Sequence, residues 1–311
     1  MAYIINETMS RFWDQAITHA RNWFDGEPPT PQIGLALGGG FARGITHVGV
    51  LRVFEQNGIE IKYLSGVSAG SIVAAGYASG TSLPDIERIA RKMRFKDVAS
   101  WTPSKLALAD SVRMTGFLQR LLKVHTFEEM VIPLAIVASD LATGDSAVFR
   151  GKGDALLPIR ASCAYPGMFP PIRLDGRILV DGMVTMDVPA PPLRTMGATH
   201  VIAISLPSPA AAFDPQDMLS VVSRSFQVLT QRTESQWRRS ADLVLSPDVR
   251  NVGWDGFENS DKLIEAGEKA ARAALPIINR WFAEAKAGES IAAPVSTTGA
   301  APPRTTLRID D

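Results

Sequence analysis

The sequence has one cysteine and no excess of charge of either sign, and both shortages exclude classes of protein. Cys163 stands alone among 311 residues, so the chain can form neither an internal disulfide nor a cysteine-based metal cluster. This favours a reducing compartment. Lys plus Arg (32) equals Asp plus Glu (32), and the balance leaves no overall basic field for a phosphate backbone. We therefore expect no nucleic-acid partner.

Long apolar runs are also missing. No stretch approaches the roughly 18 apolar residues that a membrane-spanning helix needs. In the opening segment, MAYIINETMSRFWDQ, polar or charged residues interrupt every apolar run before a secretory core of about seven residues can form. The expectation is a soluble, cytoplasmic protein.

A stripe of apolar side chains at helical spacing predicts an amphipathic helix over residues 3–24, which the breaker run GEPPTP separates from the rest. We assign residues 1–32 to this helix and its linker. Docking on the main domain or on a second subunit, giving a homo-oligomer, is the favoured interpretation. Peripheral contact with a membrane is the alternative, although acidic side chains offset the basic ones on the polar face, where a lipid-binding helix is lysine-rich.

From residue 33 onward, strand-like and helix-like segments alternate, which is typical of a mostly parallel sheet covered on both faces. We predict a three-layer α/β/α sandwich over residues 33–286. Residues 287–311 lack periodicity and are predicted to be a disordered tail. The main predicted strands are 33–37, 59–66, 131–140, 177–182 and 199–206, with one more in ADLVLSP and AVFRG as a hairpin partner; the main predicted helices are 44–56, 215–240 and 259–286.

The strongest local motif is a G-x-S-x-G, Gly66 to Gly70, between an apolar strand and a helix of small residues. Such a turn holds its serine, here Ser68, in a strained conformation that presents the hydroxyl. The following helix directs free N–H groups toward the same place. Ser68 is therefore the candidate nucleophile; the alternative is a tight strand–helix turn without chemistry.

A glycine-rich loop follows the first predicted strand. The backbone amides of Gly38, Gly39 and Gly40 are candidates for an oxyanion hole at the sheet edge from which Ser68 emerges. A phosphate-binding loop is disfavoured because Ile45 occupies the position of the essential lysine. A dinucleotide fingerprint is disfavoured because Arg43 stands where a third small residue is needed.

None of the four histidines is well placed as the base for Ser68. His19 lies in the outlying helix, His125 in a loop, and His200 at the amino end of a strand, away from the predicted site. His47 is nearer, but its apolar neighbours in the first helix favour a packed core histidine. A carboxylate acting directly is the remaining choice.

Two carboxylates, Asp140 and Asp181, are predicted at the carboxyl ends of strands, and position alone permits either. Asp181 is followed by Gly182, which allows a sharp turn, whereas Asp140 leads into LATGD, a turn signal. A carboxylate near its ordinary pKa is a weak base toward serine, so the active one must be partly desolvated. The apolar residues before Asp181 supply such surroundings. Asp187 is interpreted as structural.

Four motifs in order, GGGFARG, GVSAG, ASCAYPGMFPP (161–171) and VDGMVTMDVP (180–189), together resemble those of the patatin-like phospholipases, especially the bacterial esterase-type members. The resemblance covers residues 33–250. It implies a lipid-ester hydrolase with a patatin-like fold that needs no metal or cofactor. The roles it implies are Ser68 as nucleophile, Asp181 as its dyad partner, Gly38, Gly39 and Gly40 as the oxyanion hole, and Arg43 as a support for that loop or a balance for negative charge.

Met183 departs from the resemblance, because the family usually has glycine or alanine after Asp-Gly. Its bulk is expected to narrow the pocket or alter the substrate. The segment from Phe95 to Phe117, with Trp101, Leu106, Leu108 and Met114, is a candidate lining or cover for an acyl-chain cleft; ordinary packing is the alternative. Two other functions remain open, a catalytically idle scaffold and a nucleotide-binding glycine loop.

Overall fold

A computed structural model describes residues 30–206, 218–290 and 307–309 of the chain. The predicted amphipathic helix at residues 3–24 lies outside the described residues. The hydrogen-bonded order of the sheet strands is β11-β10-β9-β1-β2-β5-β8-β7, and β6 also pairs with β5. Strands β2 and β8 pair with successive parts of one edge of β5, and β6 pairs with the opposite edge. The strands are β1 Ile33–Leu37, β2 Ile61–Val67, β3 Ser100–Trp101, β4 Ala109–Asp110, β5 Leu134–Asp140, β6 Ser146–Arg150, β7 Ile172–Leu174, β8 Arg177–Asp181, β9 His200–Ile204, β10 Leu243–Leu245 and β11 Leu307–Ile309.

The strands from β11 to β5 in that spatial order are parallel, whereas β6, β7 and β8 run antiparallel to their neighbours. Strands β3 and β4 form a separate two-stranded hairpin. The helices are α1 Thr46–Gln56, α2 Ala69–Ala78, α3 Leu83–Lys92, α4 Phe95–Val98, α5 Val112–Leu121, α6 Leu156–Ser162, α7 Ala190–Met196, α8 Met218–Arg238 and α9 Ser260–Ser290, with short 3-10 turns at Phe41–Ile45, Phe127–Glu129, Gly182–Val184 and Phe257–Asn259.

Helices cover both faces of the sheet, and two adjacent residues of β2 demonstrate it. The hydroxyl of Ser65 donates to the carbonyl of Pro189, at the start of α7. Gly66 faces α2 instead, where an added Cβ would lie 2.5 Å from the Cα of Ser71. Because successive residues of a strand point to opposite faces, α2 and α7 pack on opposite sides. The three-layer α/β/α prediction is confirmed.

Most predicted elements are present, with differences at their ends. Strand β1 matches the prediction, and β6 is the predicted hairpin partner of β5. Strand β5 begins at Leu134 rather than 131, because Pro133 has no N–H to donate to a ladder. The first helix begins at Thr46 after a 3-10 turn, and α9 runs to Ser290.

The chain divides into two compact units, residues 33–274 with 304–311, and residues 1–32 with 275–303. Residues 287–311 were predicted to be a disordered tail. Within that range, Leu307–Ile309 instead forms a strand that pairs in parallel with β10. The open edge of β10 explains the pairing, since an edge strand presents unpaired backbone groups. Among the described helices, none is both long and apolar enough to cross a membrane.

Candidate active site

Ser68 stands at the turn between β2 and α2 with backbone angles φ 51° and ψ −128°. This left-handed conformation is costly for a residue with a side chain, by about 1–3 kcal/mol, and it persists only where the surroundings enforce it. The glycines on either side permit the crowding. A Cβ on Gly70 would overlap the carbonyl of Leu37, and a Cβ on Gly66 would meet α2. The predicted strained serine turn is present.

Hydrogen bonds with Ser162 and Ser71 fix the backbone of Ser68. Its N–H donates to the hydroxyl oxygen of Ser162 (2.8 Å), and that hydroxyl donates to the carbonyl of Val137 (2.6 Å). The carbonyl of Ser68 accepts from the Ser71 hydroxyl at 2.6 Å. Sequence reasoning missed this bridge, since nothing in a sequence pairs residues 94 positions apart.

Asp181 reaches Ser68 because β2 and β8 share one edge of β5. Val67, the last residue of β2, pairs with Val137, and Asp181 pairs with the next residue along β5, Ala138. Ala138 also pairs with β6, so β8 lies on the edge opposite β6, which is the edge that β2 occupies. The end of β8 therefore meets the end of β2. Gly182 lets the chain turn there, because a Cβ would overlap the carbonyl of Val137.

The hydroxyl of Ser68 donates to Oδ2 of Asp181 at 2.7 Å. The other carboxylate oxygen, Oδ1, accepts from the N–H of Met183 at 3.0 Å. Asp181 is fully buried and Ser68 is 7% exposed. Burial raises the pKa of Asp181 to about 7, and the hydrogen bonds from Met183 and Ser68 oppose that rise. The carboxylate is thus a stronger base than an ordinary aspartate while still ionised near neutral pH.

The other base candidates lie elsewhere. Oδ1 of Asp140 accepts from the N–H of Ala142, two residues ahead in the turn that follows β5. His47 is fully buried, and its Nε2 donates to the carbonyl of Gly38 at 2.8 Å, as expected of a core histidine. Burial lowers the pKa of His47 to about 4, so the ring is neutral near pH 7. The structure therefore brings Asp181, and neither of these residues, to the hydroxyl of Ser68.

The glycine loop lies against Ser68, but two of its three amides are engaged within the fold. The N–H of Gly38 donates to the carbonyl of Ile204, and the N–H of Gly39 donates to the carbonyl of Asp187. The N–H of Gly40 has no acceptor among the described residues. Gly39 packs directly on the serine, since a Cβ there would lie 3.3 Å from the Cβ of Ser68. Of the three amides predicted for the oxyanion hole, the N–H of Gly40 is therefore the one that has no acceptor among the described residues.

Arg43 is buried within the same loop and braces it. Its Nε donates to the carbonyl of Gly40 at 3.4 Å. Burial lowers the pKa of the guanidinium, and the nearby Tyr165 opposes this. Asp187 supports the loop from the other side through its carbonyl, which agrees with a structural part for that residue.

Two cavities open on Ser68, one apolar and one polar. The apolar cleft, about 790 Å³ including its open side, is walled by side chains of α1 to α5. Phe95, Met114 and Phe117 line it as predicted for their segment, whereas Trp101 and Leu106 are exposed. The polar cavity, about 1000 Å³ including its open side, is lined by the glycine loop, Met183 and one side of α8. Sequence reasoning missed the α8 contribution, which consists of Ser223, Gln227, Thr230, Gln231 and Glu234.

The chain is similar to several known proteins. The chain is 33% identical over 181 residues to an uncharacterised NTE family protein of Mycobacterium tuberculosis, covering 57% of this chain and 49% of that one. It is 32% identical over 182 residues to lysophospholipase NTE1 of Candida albicans, covering 57% of this chain and 13% of that one. The chain thus spans about half, or less, of the length of these relatives. VipD of Legionella pneumophila has the same fold, with a TM-score of 0.50 at 14% identity over 80% of this chain and 67% of that one. The family model for patatin-like phospholipase matches residues 35–194, and the chain belongs to that family.

Proposed function

We propose that the chain is a serine acyl hydrolase that cleaves carboxylic esters of lipids through a Ser68–Asp181 dyad. One observation carries the proposal: the hydroxyl of Ser68 donates to a buried carboxylate at 2.7 Å, at the point where an apolar cleft and a polar cavity meet. Membership of the patatin-like phospholipase family and the likeness to a lysophospholipase support the same activity.

In the proposed first step, the oxygen of Ser68 attacks the ester carbonyl while its proton passes to Oδ2 of Asp181. The tetrahedral oxyanion needs N–H donors that are already in position. The amide of Gly40 and that of Ala69, the first residue of α2, have no acceptor among the described residues and are the proposed donors. The dipole of α2 favours the same negative charge.

Collapse of this intermediate breaks the bond to the leaving alcohol, which takes the proton from Asp181 and departs. An acyl group remains on Ser68. Water then attacks the acyl carbonyl and gives its proton to Asp181, and cleavage of the acyl bond returns that proton to the oxygen of Ser68. The two steps need no redox agent and no metal.

The two cavities divide the proposed substrate between them. An acyl chain fits the apolar cleft, whose lining buries methylene groups at roughly 0.8 kcal/mol each. The alcohol part, with its polar head group, faces the polar cavity beside Met183 and α8.

A fluorophosphonate probe tests the proposal, because it reacts only with an activated serine. Wild type is expected to be labelled and Ser68→Ala to remain unlabelled. Hydrolysis of p-nitrophenyl esters is expected to fall at least about 1000-fold in Asp181→Asn, the upper part of the range for a general base. Asp140→Asn is the matched control, since its own turn hydrogen bond survives the change, and it is expected to retain activity.

The same experiments separate the alternatives. A folded wild-type protein that is neither labelled nor active would identify an idle scaffold and overturn the proposal. Loss of turnover in a stable His47→Ala variant with activity intact in Asp181→Asn would replace the dyad with a histidine-based mechanism. A rise in melting temperature with ATP would favour the nucleotide-binding loop.

We also propose, from the sequence alone, that residues 1–32 dock on the main domain or on a second subunit. If they dock a second subunit, deleting residues 1–30 changes the oligomer size measured by light scattering. Unchanged size together with lost flotation on liposomes would assign the segment to a membrane surface instead.

A further inference from the structure

The surface formed by residues 94–113 exposes three large apolar side chains. Trp101 is 62% exposed, Leu106 68% and Val112 66%. The segment consists of α4, the β3–β4 hairpin and the start of α5. The hairpin is fixed to the chain just before Phe169, a residue that lines the apolar cleft, since the amide of Ala109 donates to the carbonyl of Met168. This 94–113 surface is therefore held in place while its apolar side chains face solvent, an arrangement typical of an interaction site.

A chain of aromatic rings connects this surface to the catalytic serine. The ring centroids of Trp101 and Phe95 are 5.1 Å apart, and those of Phe95 and Trp254 are 6.2 Å apart. Trp254 in turn lies 5.4 Å from Phe41, which lines both cavities beside Ser68. Phe95 is a wall of the apolar cleft, so the exposed indole of Trp101 lies one ring away from the proposed acyl site.

The same surface is basic, although the chain as a whole has a net charge of zero. Residues 94–113 contain four basic and two acidic side chains. Both carboxylates already accept hydrogen bonds from neighbouring groups. Asp97 accepts from the backbone N–H of Arg94, and Asp110 accepts from the hydroxyl of Thr102 and the backbone N–H of Val112. The four basic side chains are exposed, and none forms a salt bridge with a described carboxylate; they are Arg94, Lys96, Lys105 and Arg113.

We infer that the 94–113 surface binds an anionic lipid bilayer, with Trp101 and Leu106 inserted at the headgroup level and the basic side chains on the lipid phosphates. This inference rests on the proposed function, because it places the apolar cleft next to the source of its substrate. Tryptophan is enriched at membrane interfaces, and exposed apolar groups ringed by Lys and Arg are typical of proteins that lie on anionic membranes.

Charge favours the bilayer over a second copy of the chain as the occupant. A twofold interface would place the same patch on both sides and bring two sets of four basic side chains together. Like charges at close range repel, and the two acidic side chains of the segment are already held by local donors. An anionic surface instead gains about fivefold in binding for each nearby basic residue.

Co-sedimentation of the full chain with vesicles tests the inference. Wild type is expected to bind vesicles of phosphatidylglycerol and phosphatidylcholine (about 3:7), to bind phosphatidylcholine alone more weakly, and to lose binding as salt rises. Lys96→Glu/Lys105→Glu is expected to weaken binding at least about 25-fold, since each lysine contributes about fivefold. Neither lysine side chain makes a hydrogen bond to a described residue, so the fold is expected to persist. Trp101→Ala is expected to weaken binding about tenfold or more.

Matched controls carry the same changes at the opposite end of the sheet. Arg150→Glu/Lys152→Glu makes the same change of charge near Ala135, at the amino end of β5. Val112→Ala, which truncates an exposed valine (66%) of the 94–113 surface, is expected to weaken vesicle binding, and Val131→Ala, at an equally exposed valine (69%), is its control. Both controls are expected to bind vesicles as wild type does.

Hydrolysis of a soluble short-chain ester, measured without vesicles, is expected to be unchanged in every one of these variants. Vesicle binding that is absent in wild type, or equal in wild type and the surface variants, would overturn the inference. A size change on Trp101→Ala without lipid, with vesicle binding intact, would assign the surface to a second copy and also overturn it. Vesicle binding as expected in a wild type that hydrolyses no ester would refute the proposed function and leave the lipid surface standing.

Discussion

Replacing Asp181 by Asn is expected to abolish activity and at the same time to stabilise the protein at alkaline pH. Burial raises the pKa of Asp181 from its ordinary value of 3.8 to about 7, so the native state holds the carboxyl proton more tightly than the unfolded chain does. The stability that the neutral acid contributes is complete below pH 3.8. It is lost progressively as the pH rises through about 7, because the native state must then bury a charge.

The magnitude follows from the two pKa values. The difference, about 7 minus 3.8, is roughly 3, and each pH unit corresponds to about 1.4 kcal/mol, so the buried charge costs about 4 kcal/mol above pH 7. Asparagine has the shape of the acid and never ionises. Its oxygen can accept from the N–H of Met183, and its amide can donate to the oxygen of Ser68. The hydroxyl proton of Ser68 loses its acceptor, and this cost does not vary with pH.

Urea unfolding of wild type and Asp181→Asn between about pH 5 and 8.5 measures this difference. The variant's advantage in free energy of unfolding is expected to grow by about 3 kcal/mol across the range and to level off above pH 7. An advantage that does not change with pH would refute the reasoning. Asp187→Asn is the companion variant, because burial also raises the pKa of that carboxyl to about 7. It is expected to show the same trend while keeping fluorophosphonate labelling.

Three further predictions concern catalysis and the turn that holds the nucleophile. The kcat/KM for a neutral ester is expected to rise about tenfold per pH unit below 7 and to level off above it, because only ionised Asp181 acts as base; a flat profile from about pH 5 to 8 would exclude this carboxylate. Ser162→Ala removes the hydroxyl that pairs with the Ser68 N–H and the Val137 carbonyl. Each lost partner is expected to lower the free energy of unfolding in urea by about 1–3 kcal/mol, and kcat is expected to fall. Unchanged stability would mean that the bridge contributes nothing. Val73→Phe fills part of the apolar cleft and is expected to lower kcat/KM for long-chain esters while sparing short-chain ones, and an equal effect on both would argue against the cleft as the acyl site.

Local sequence predicted the candidate nucleophile and its strained turn. A strand, a crowded serine and a helix of small residues follow one another within about 20 positions, so Ser68 is recognisable before any long-range contact is known. The same holds for β1 and the glycine loop, because a short apolar run that is followed directly by glycines, which interrupt regular structure, predicts a buried strand followed by a loop. Hydrophobic periodicity did not predict where a strand begins when hydrogen bonding sets the boundary. Strand β5, for example, begins only after Pro133.

Tertiary structure decided which carboxylate lies beside Ser68 and which backbone amides near it have no acceptor among the described residues. Both Asp140 and Asp181 end strands, and only the register of β5 with β2 and β8 sets Asp181 one step beyond Val67. Sequence cannot supply that register, which brings together Ser68 and Asp181, 113 positions apart in the chain. Likewise, the acceptors of the Gly38 and Gly39 amides come from β9 and the segment before α7, and the polar cavity takes one wall from α8. The sequence determined which groups can do the chemistry, and packing of distant segments decided which of them meet.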